Sequence, residues 1–365
     1  MNRLLVVAVL FLGCGPKSDL AQSKGRLVQG APVLKPNVMV LLDGSGSMLL
    51  PLDASAASCP AGCGTSPANL CPTSCPTRLT EAKSGLASFF AQSPAFARVG
   101  VTIFPSDPVC GPPSEVGVDL PAAATDDSDV AALQATADAA NARVQAMIPI
   151  GGTPTGASLE FVGALPSMQN TQDGRDEWVV LITDGLPNCS EQNPNALCSH
   201  ASPSAVDLMA CACTTTTCSG ALCSKGCLDD QKTVDVVESL RQRGIRTVVI
   251  GFGADTSTTL AQTVFGSIAT AGGFSRKRAD GLAAEPYLQT RGGSELSAAL
   301  DVVLTETKVK PCTFSLSELP AEGEVVAAFR DGARVDAALV SLDAAKKHVT
   351  ISDATCGAYA FRLER

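Results

Sequence analysis

The chain has 365 residues, 45% of them hydrophobic and 17% charged, with a formal net charge of −9 at pH 7. An acidic chain with 12 Phe, 2 Tyr and 1 Trp lacks the basic footprint and stacking aromatics of a nucleic-acid binder. Its length allows a large core and predicts one main domain plus an accessory.

Residues 1–14 open with Arg3, continue through an apolar run at 4–12 and close on Gly13-Cys14. The run is far shorter than the ~20 residues needed to cross a bilayer, but it suits the core of a secretory signal. Gly13-Cys14 resembles a bacterial lipobox, with Phe11 where Leu is commoner, and this implies acylation of Cys14 at the start of the mature chain. Gly15, in place of Asp, resembles the signal for outer-membrane sorting. An ordinary signal peptide cut nearby is the plainer alternative. No later segment is expected to span a membrane, and the polar residues 15–35 read as a tether.

Val38–Leu42 is a continuously apolar run, predicted as a buried strand. It delivers Asp43-Gly44-Ser45-Gly46-Ser47 at its end. Three hard oxygen side chains spaced two apart on a glycine turn point to a cation site. Leu79, Ala82, Leu86, Phe89 and Phe90 share one helical face; Val99–Phe104 is a strand; Val116, Val118 and Leu120 alternate as a short edge strand. A helix is predicted from about Val130 to Met147, capped by Thr125, Asp126 or Asp127, and another over Thr153–Leu165. Strand Trp178–Thr183, helix Leu228–Arg243 closed by Gly244, strand Ile245–Ile250 and helix Thr256–Thr270 follow. A short strand near Tyr287 and a helix over Ser294–Thr305 complete the series. The alternation predicts an α/β fold, a doubly wound, mostly parallel sheet with helices on both faces. Such sheets bind ligands outside the carboxyl ends of their strands, where Asp43, Thr153 (in Gly151-Gly152-Thr153-Pro154-Thr155-Gly156) and Asp184 all fall.

The segments DGSGS at 43–47, TPT at 153–155 and TDG at 183–185 resemble, in this order and on these elements, the von Willebrand factor A domain, the fold of integrin I domains. The resemblance covers residues 36–307. It implies a metal-ion-dependent adhesion site in which Asp43, Ser45, Ser47, Thr153 and Asp184 hold a divalent cation, directly or through water. Mg²⁺ is expected first, with Mn²⁺ and Ca²⁺ as alternatives, and an acidic group of a partner completes the coordination. Enzymes are the competing class. Only His200 and His348 could serve as an imidazole base, Ser45 and Ser47 lack a G-x-S-x-G context, and the motif offers no general base. The chain is therefore read as no enzyme; an envelope scaffold with a structural metal and a secreted hydrolase are the alternatives.

Without Cys14, 14 of the 15 cysteines remain, an even number suited to disulfides in an oxidising compartment. They are Cys59, Cys63, Cys71, Cys75, Cys110, Cys189, Cys198, Cys211, Cys213, Cys218, Cys223, Cys227, Cys312 and Cys356. The last two are isolated and expected to pair. The seven from Cys189 to Cys227 cannot all pair among themselves, so at least one bridge should leave that loop, to Cys110 or to the 59–75 group. Zinc is the rival reading of the clustered pairs, but their spacings do not repeat the usual x2 pairs and only His200 is near. The cysteine-rich insertions 49–76 and 186–227 follow metal-binding segments directly. They are read as a stapled rim that selects the partner, against the plainer reading of protection from proteolysis.

Residues 308–365 change character. Thr313–Leu316, Glu324–Phe329, His348–Ile351 and Ala360–Leu363 are β-like, Asp331-Gly332 is a hairpin signal, and a small β-rich module closed by Cys312–Cys356 is expected. The whole architecture resembles, more loosely, the outer-membrane adhesin lipoproteins of gliding bacteria. That likeness implies a lipid anchor in the membrane, an envelope motility complex, and a protein or surface partner with an exposed carboxylate.

Overall fold

The structure is a computed structural model that describes residues 20, 24–32, 34–127, 129–169, 175–189, 228–274, 287–307, 313–342, 348–352 and 359–365. Two units divide the chain: Leu34–Lys308, and a second built from both flanks, Met1–Val33 with Val309–Arg365. Short strands β1 (Arg26–Val28) and β2 (Gly30–Pro32) come first and belong to the second unit.

The α/β unit is built on β3 (Asn37–Asp43), β4 (Arg98–Phe104), β5 (Glu177–Thr183), β6 (Ile245–Phe252) and β7 (Leu288–Thr290), all parallel in the order β4-β3-β5-β6-β7. Among the described residues six α-helices accompany them: α1 (Arg78–Gln92), α2 (Val130–Gln145), α3 (Thr155–Ala164), α4 (Asp230–Gln242), α5 (Thr259–Gly272) and α6 (Gly293–Thr307). Alternate residues of β3 explain the layering. Val38, Val40 and Leu42 pack with α1, α2 and α6, whereas Met39 and Leu41 pack with α3, α4 and α5. Burial on both faces is why β3 and β5 read as unbroken apolar runs instead of alternating ones. The predicted doubly wound α/β class is the fold observed.

Two details of this unit differ from expectation. The cap of α2 is Asp129, whose side chain accepts from the Ala132 amide, and not Thr125, Asp126 or Asp127. Residues 116–120 form no strand; Val118 makes a single antiparallel bridge to Val101 of β4. Arg98, which opens β4, is 1% exposed and donates to the Thr125, Pro121 and Ala122 carbonyls and to Asp127. This network holds the segment that follows 116–120 mainly through side chain to main chain contacts.

The second unit adds β8 (Thr313–Leu316), β9 (Val325–Arg330), β10 (Ala333–Arg334), β11 (Val340–Leu342), β12 (His348–Ile351) and β13 (Tyr359–Glu364). They form two antiparallel sheets, β1-β13-β9-β10 and β11-β12-β8-β2, around Val28, Phe314, Ala328, Val349, Phe361 and Leu363. The Asp331-Gly332 hairpin joins β9 to β10, with both residues at positive φ (51° and 83°), as a two-residue turn requires. Residues 26–32, expected in the tether, are instead strands β1 and β2, paired with β13 and β8. Three residues each are too few for a period to show in the sequence; their partners lie almost the whole chain away. Cys312 and Cys356 lie outside the described residues, as does Cys14. Among the described residues no helix is long and apolar enough to cross a membrane.

Candidate metal centre

The chain leaves β3 for β4 on one side and later places β5 on the other side of β3. Loops leaving β3 and β5 therefore diverge, and a crevice opens between them at the carboxyl edge. Asp43 ends β3 and Thr183 ends β5; the pairing of Leu42 with Ile182 sets them side by side. Thr183 Oγ1 donates to Asp43 Oδ2 at 2.6 Å, and the Ser45 amide donates to Asp43 Oδ1 at 2.8 Å. Ser45 Oγ and Ser47 Oγ are 2.9 Å apart, and Ser47 Oγ donates to Asp184 Oδ1 at 2.9 Å. Hydrogen bonds thus link Asp43, Ser45, Ser47 and Asp184 in series, the first through the Ser45 main chain and the others through side-chain oxygens, and both carboxylates are fully buried.

The turn after β3 needs glycine for close approach: a Cβ on Gly44 would meet Ile103, Met147 and the Phe104 carbonyl at 3.0–3.1 Å. The Thr153 loop docks on this turn through Gly46 N–H to the Gly151 carbonyl at 3.0 Å and Ile150 N–H to the Gly44 carbonyl at 2.8 Å. Thr153 is 2% exposed, its amide donates to Asn188 Oδ1 at 2.8 Å, and it lines a cavity shared with Ser45 and Ser47. All five residues proposed from the sequence therefore meet at one edge, four of them through direct hydrogen bonds.

Arg78, at the first position of α1, was not visible as a site residue. Its guanidinium donates to Asp184 Oδ2 at 2.8 Å and to Asp255 Oδ2 at 2.5 Å. It is placed there by the cysteine-rich insertion, which returns to its starting point: Leu52 N–H donates to the Pro76 carbonyl and Arg78 N–H to the Leu50 carbonyl. A cation at a helix N-terminus runs against the helix dipole, and this is the signal by which sequence reasoning could have found it.

Burial, and then the neighbouring Asp184, push the Asp43 carboxyl up to about 7. Burial also raises Asp184, although Arg78 and Ser47 pull it back. Of the two buried carboxylates only Asp184 is paired with a cationic side chain, so Asp43 is held against ionisation and has room for a positive partner. The donor set is hard and oxygen-only, without imidazole or thiolate, which fits a small divalent cation. Asp43, Ser45, Ser47, Thr153 and Asp184 would hold it.

The insertion is stapled by Cys59–Cys75 and Cys63–Cys71. The sulfurs of Cys63, Cys71 and Cys75 lie within 4.8 Å of one another, yet each is already bonded in a disulfide, so none offers zinc a thiolate. Cys110 is bonded to Cys189, one of the connections the parity argument left open. Cys198, Cys211, Cys213, Cys218, Cys223, Cys227 and His200 lie outside the described residues. The Cys110–Cys189 bridge ties the segment after β4 to the segment after β5 across 79 residues. Gly152 packs beneath it, and a Cβ there would stand 2.9 Å from Cys189 Sγ. Replacing both cysteines by Ser is expected to cost about 2–4 kcal/mol of stability; a denaturation midpoint equal to that of the oxidised parent would show that the loops are held without it.

No protein-family model matches the chain, and no curated protein matches it. Solved structures are similar to it at low identity. One is the pilus adhesin SpaC from Lactobacillus rhamnosus GG, at 14% identity over 92% of this chain and 40% of that chain, with a TM-score of 0.45. Another is the vWF domain of the type V pili tip protein Mfa5 from Porphyromonas gingivalis, at 12% identity over 76% and 96%, with a TM-score of 0.44. A third is the manganese-loaded TRAP protein of Plasmodium vivax, at 15% identity over 80% and 90%, with a TM-score of 0.41. The chain thus spans less than half the length of the SpaC chain.

Proposed function

We propose that the α/β unit binds a partner through a divalent cation held by Asp43, Ser45, Ser47, Thr153 and Asp184, and that the protein is an exported adhesin. The observation that carries this reading is the hydrogen-bonded series Asp43, Ser45, Ser47, Asp184 at the switch point of the sheet. A bound cation supplies a positive centre that accepts an oxygen of a partner's carboxylate. Mg²⁺ is the cation we assign, because every donor is a hard oxygen. The side chains around Ser45 and Ser47 support binding over hydrolysis: the carboxylate that Ser47 Oγ donates to, Asp184, is already paired with the Arg78 guanidinium and is a poor base for activating a nucleophile. His348 belongs to β12 of the second unit.

The same reading extends to location and role. Acyl chains on Cys14 anchor the chain to the outer membrane, since each buried methylene contributes about 0.8 kcal/mol. The partner is a protein or surface ligand with an exposed carboxylate, engaged in cell-surface attachment or gliding motility. The test is a pull-down of envelope and surface components in Mg²⁺ and in EDTA, repeated with Asp43→Asn. Capture that persists in EDTA or in the variant defeats the reading.

Protons compete with the cation for Asp43. In the cation-free protein its carboxyl is held up to about 7, so its contribution to stability is fully present below the unfolded-state value and is lost as pH rises through about 7. Cation binding has the opposite sign: it needs the carboxylate and releases the proton. Apparent affinity should rise with pH, by up to roughly tenfold per unit, and level off above about 7. Titration calorimetry in two buffers of different ionisation enthalpy measures the proton released; equal affinity at pH 5.5 and pH 8 would contradict the assignment of Asp43.

A further inference from the structure

The metal centre opens into a cavity of about 470 Å³, within the ~300–1,000 Å³ typical of ligand pockets. Ser45, Ser47 and Thr153 form one part of its lining. Another part is Gly64–Pro67, inside the loop closed by Cys63–Cys71. Leu49, Leu50, Pro108, Pro149 and Ile150 supply the apolar surface, and among the described residues no acidic or basic side chain lines the cavity. A cation at its base calls for a carboxylate; the neutral walls call for an uncharged neighbour.

Two further observations point to an occupant. Among the described residues of the α/β unit, the exposed large hydrophobic side chains are Leu70, Val130 and Ile148. Leu70 lies in the Cys63–Cys71 loop and is 61% exposed, and Ile148, 72% exposed, lines an adjoining cavity that shares Ile150 with this one. Exposed apolar side chains beside an apolar cavity mark an interaction surface. Asn188 also lines the cavity; its Oδ1 accepts from the Thr153 amide, and among the described residues its side-chain N–H groups donate to nothing. It therefore offers donors to a peptide carbonyl.

We propose that this cavity is the specificity subsite of the metal centre and takes an apolar side chain adjacent to the acidic residue of an extended partner peptide. The proposal rests on the metal-centre reading given above. The disulfides hold the Gly64–Pro67 wall in place before the partner arrives, so little ordering is lost on binding.

The test uses the full chain, Mn²⁺, and arrayed capped pentapeptides Gly-X-Asp-Z-Gly with X and Z varied. Calorimetry with Mn²⁺ alone first reports whether the centre is intact. In Mn²⁺, peptides with Leu, Pro or an aromatic residue at X or Z should bind at least about tenfold tighter than those with Ser, Lys or Glu, and EDTA should abolish binding. Ser66→Trp fills the cavity without touching the metal residues. It should remove the preference while leaving Mn²⁺ affinity unchanged; Ser66→Glu, which instead places a charge there, should do the same if the larger residue disturbs the loop. Equal binding of apolar and Ser peptides, Mn²⁺ binding with no peptide retained, or a preference that survives both variants overturns the subsite and leaves the metal centre standing. Failure of Mn²⁺ to bind the parent chain overturns both.

Discussion

Asp43→Asn is expected to lower divalent-cation affinity by at least about 100-fold, about 2.7 kcal/mol, while the cation-free domain remains as stable as the parent or gains stability. The carboxylate supplies one of the two fixed negative charges among the five oxygen donors, and cation affinity follows ligand charge. Without a cation that same charge is a burden, because burial and Asp184 push the Asp43 carboxyl up to about 7. The amide removes the burden and keeps the shape. Its oxygen can still accept from the Ser45 amide. Thr183 Oγ1 lies 2.9 Å from the Gly185 carbonyl, so its hydroxyl can turn to donate there and accept from the new amide. Calorimetry with Mg²⁺ and Mn²⁺, paired with thermal melts in EDTA at pH 8, separates the two effects. Unchanged cation affinity in a folded variant would remove Asp43 from the site.

The sheet and the five oxygen residues were legible in the sequence for the same reason: each depends on a short, contiguous stretch. Val38–Leu42 and Trp178–Thr183 are apolar throughout because both faces are covered, and DGSGS and TDG stand where those strands end. What was not legible depends on chain closure. β1 and β2 are three residues each and acquire meaning only beside β13 and β8. Residues 116–120 alternate like a strand, yet make one bridge, since the main chain beyond them is gathered by the Arg98 side chain. Asn188 resembles any loop residue until its carbonyl oxygen meets the Thr153 amide. Arg78 follows Pro76-Thr77 and reads as the solvated first turn of a helix, with Thr77 and Thr80 forming its capping box. Only the return of the stapled insertion brings its guanidinium to Asp184.

Arg78→Met should destabilise the cation-free domain by about 3–5 kcal/mol, and saturating Mn²⁺ should restore most of that loss. The argument begins with burial: the Arg78 side chain is 8% exposed and Asp184 is 0% exposed, so their 2.8 Å contact is an ion pair removed from water. Deleting one partner of such a pair is costly because the other charge stays behind uncompensated. Asp255 adds little to the loss, since its side chain is 65% exposed and water replaces the guanidinium. Asp184 is then left with the Ser47 hydroxyl and climbs further above the ordinary carboxylate range. A divalent cation on the same carboxylate supplies the missing positive charge, so the bound form loses much less than the free form. By linkage, the difference between the two losses is a gain in cation affinity of the folded domain. On this reading Arg78 is a resident counter-ion to Asp184 and is expected, by the same charge, to weaken cation binding. Chemical denaturation of parent and variant at pH 8, in EDTA and in saturating Mn²⁺, measures all four stabilities. Equal destabilisation with and without Mn²⁺ would mean that Arg78 serves only to pack the start of α1, with no bearing on the charge of the metal centre.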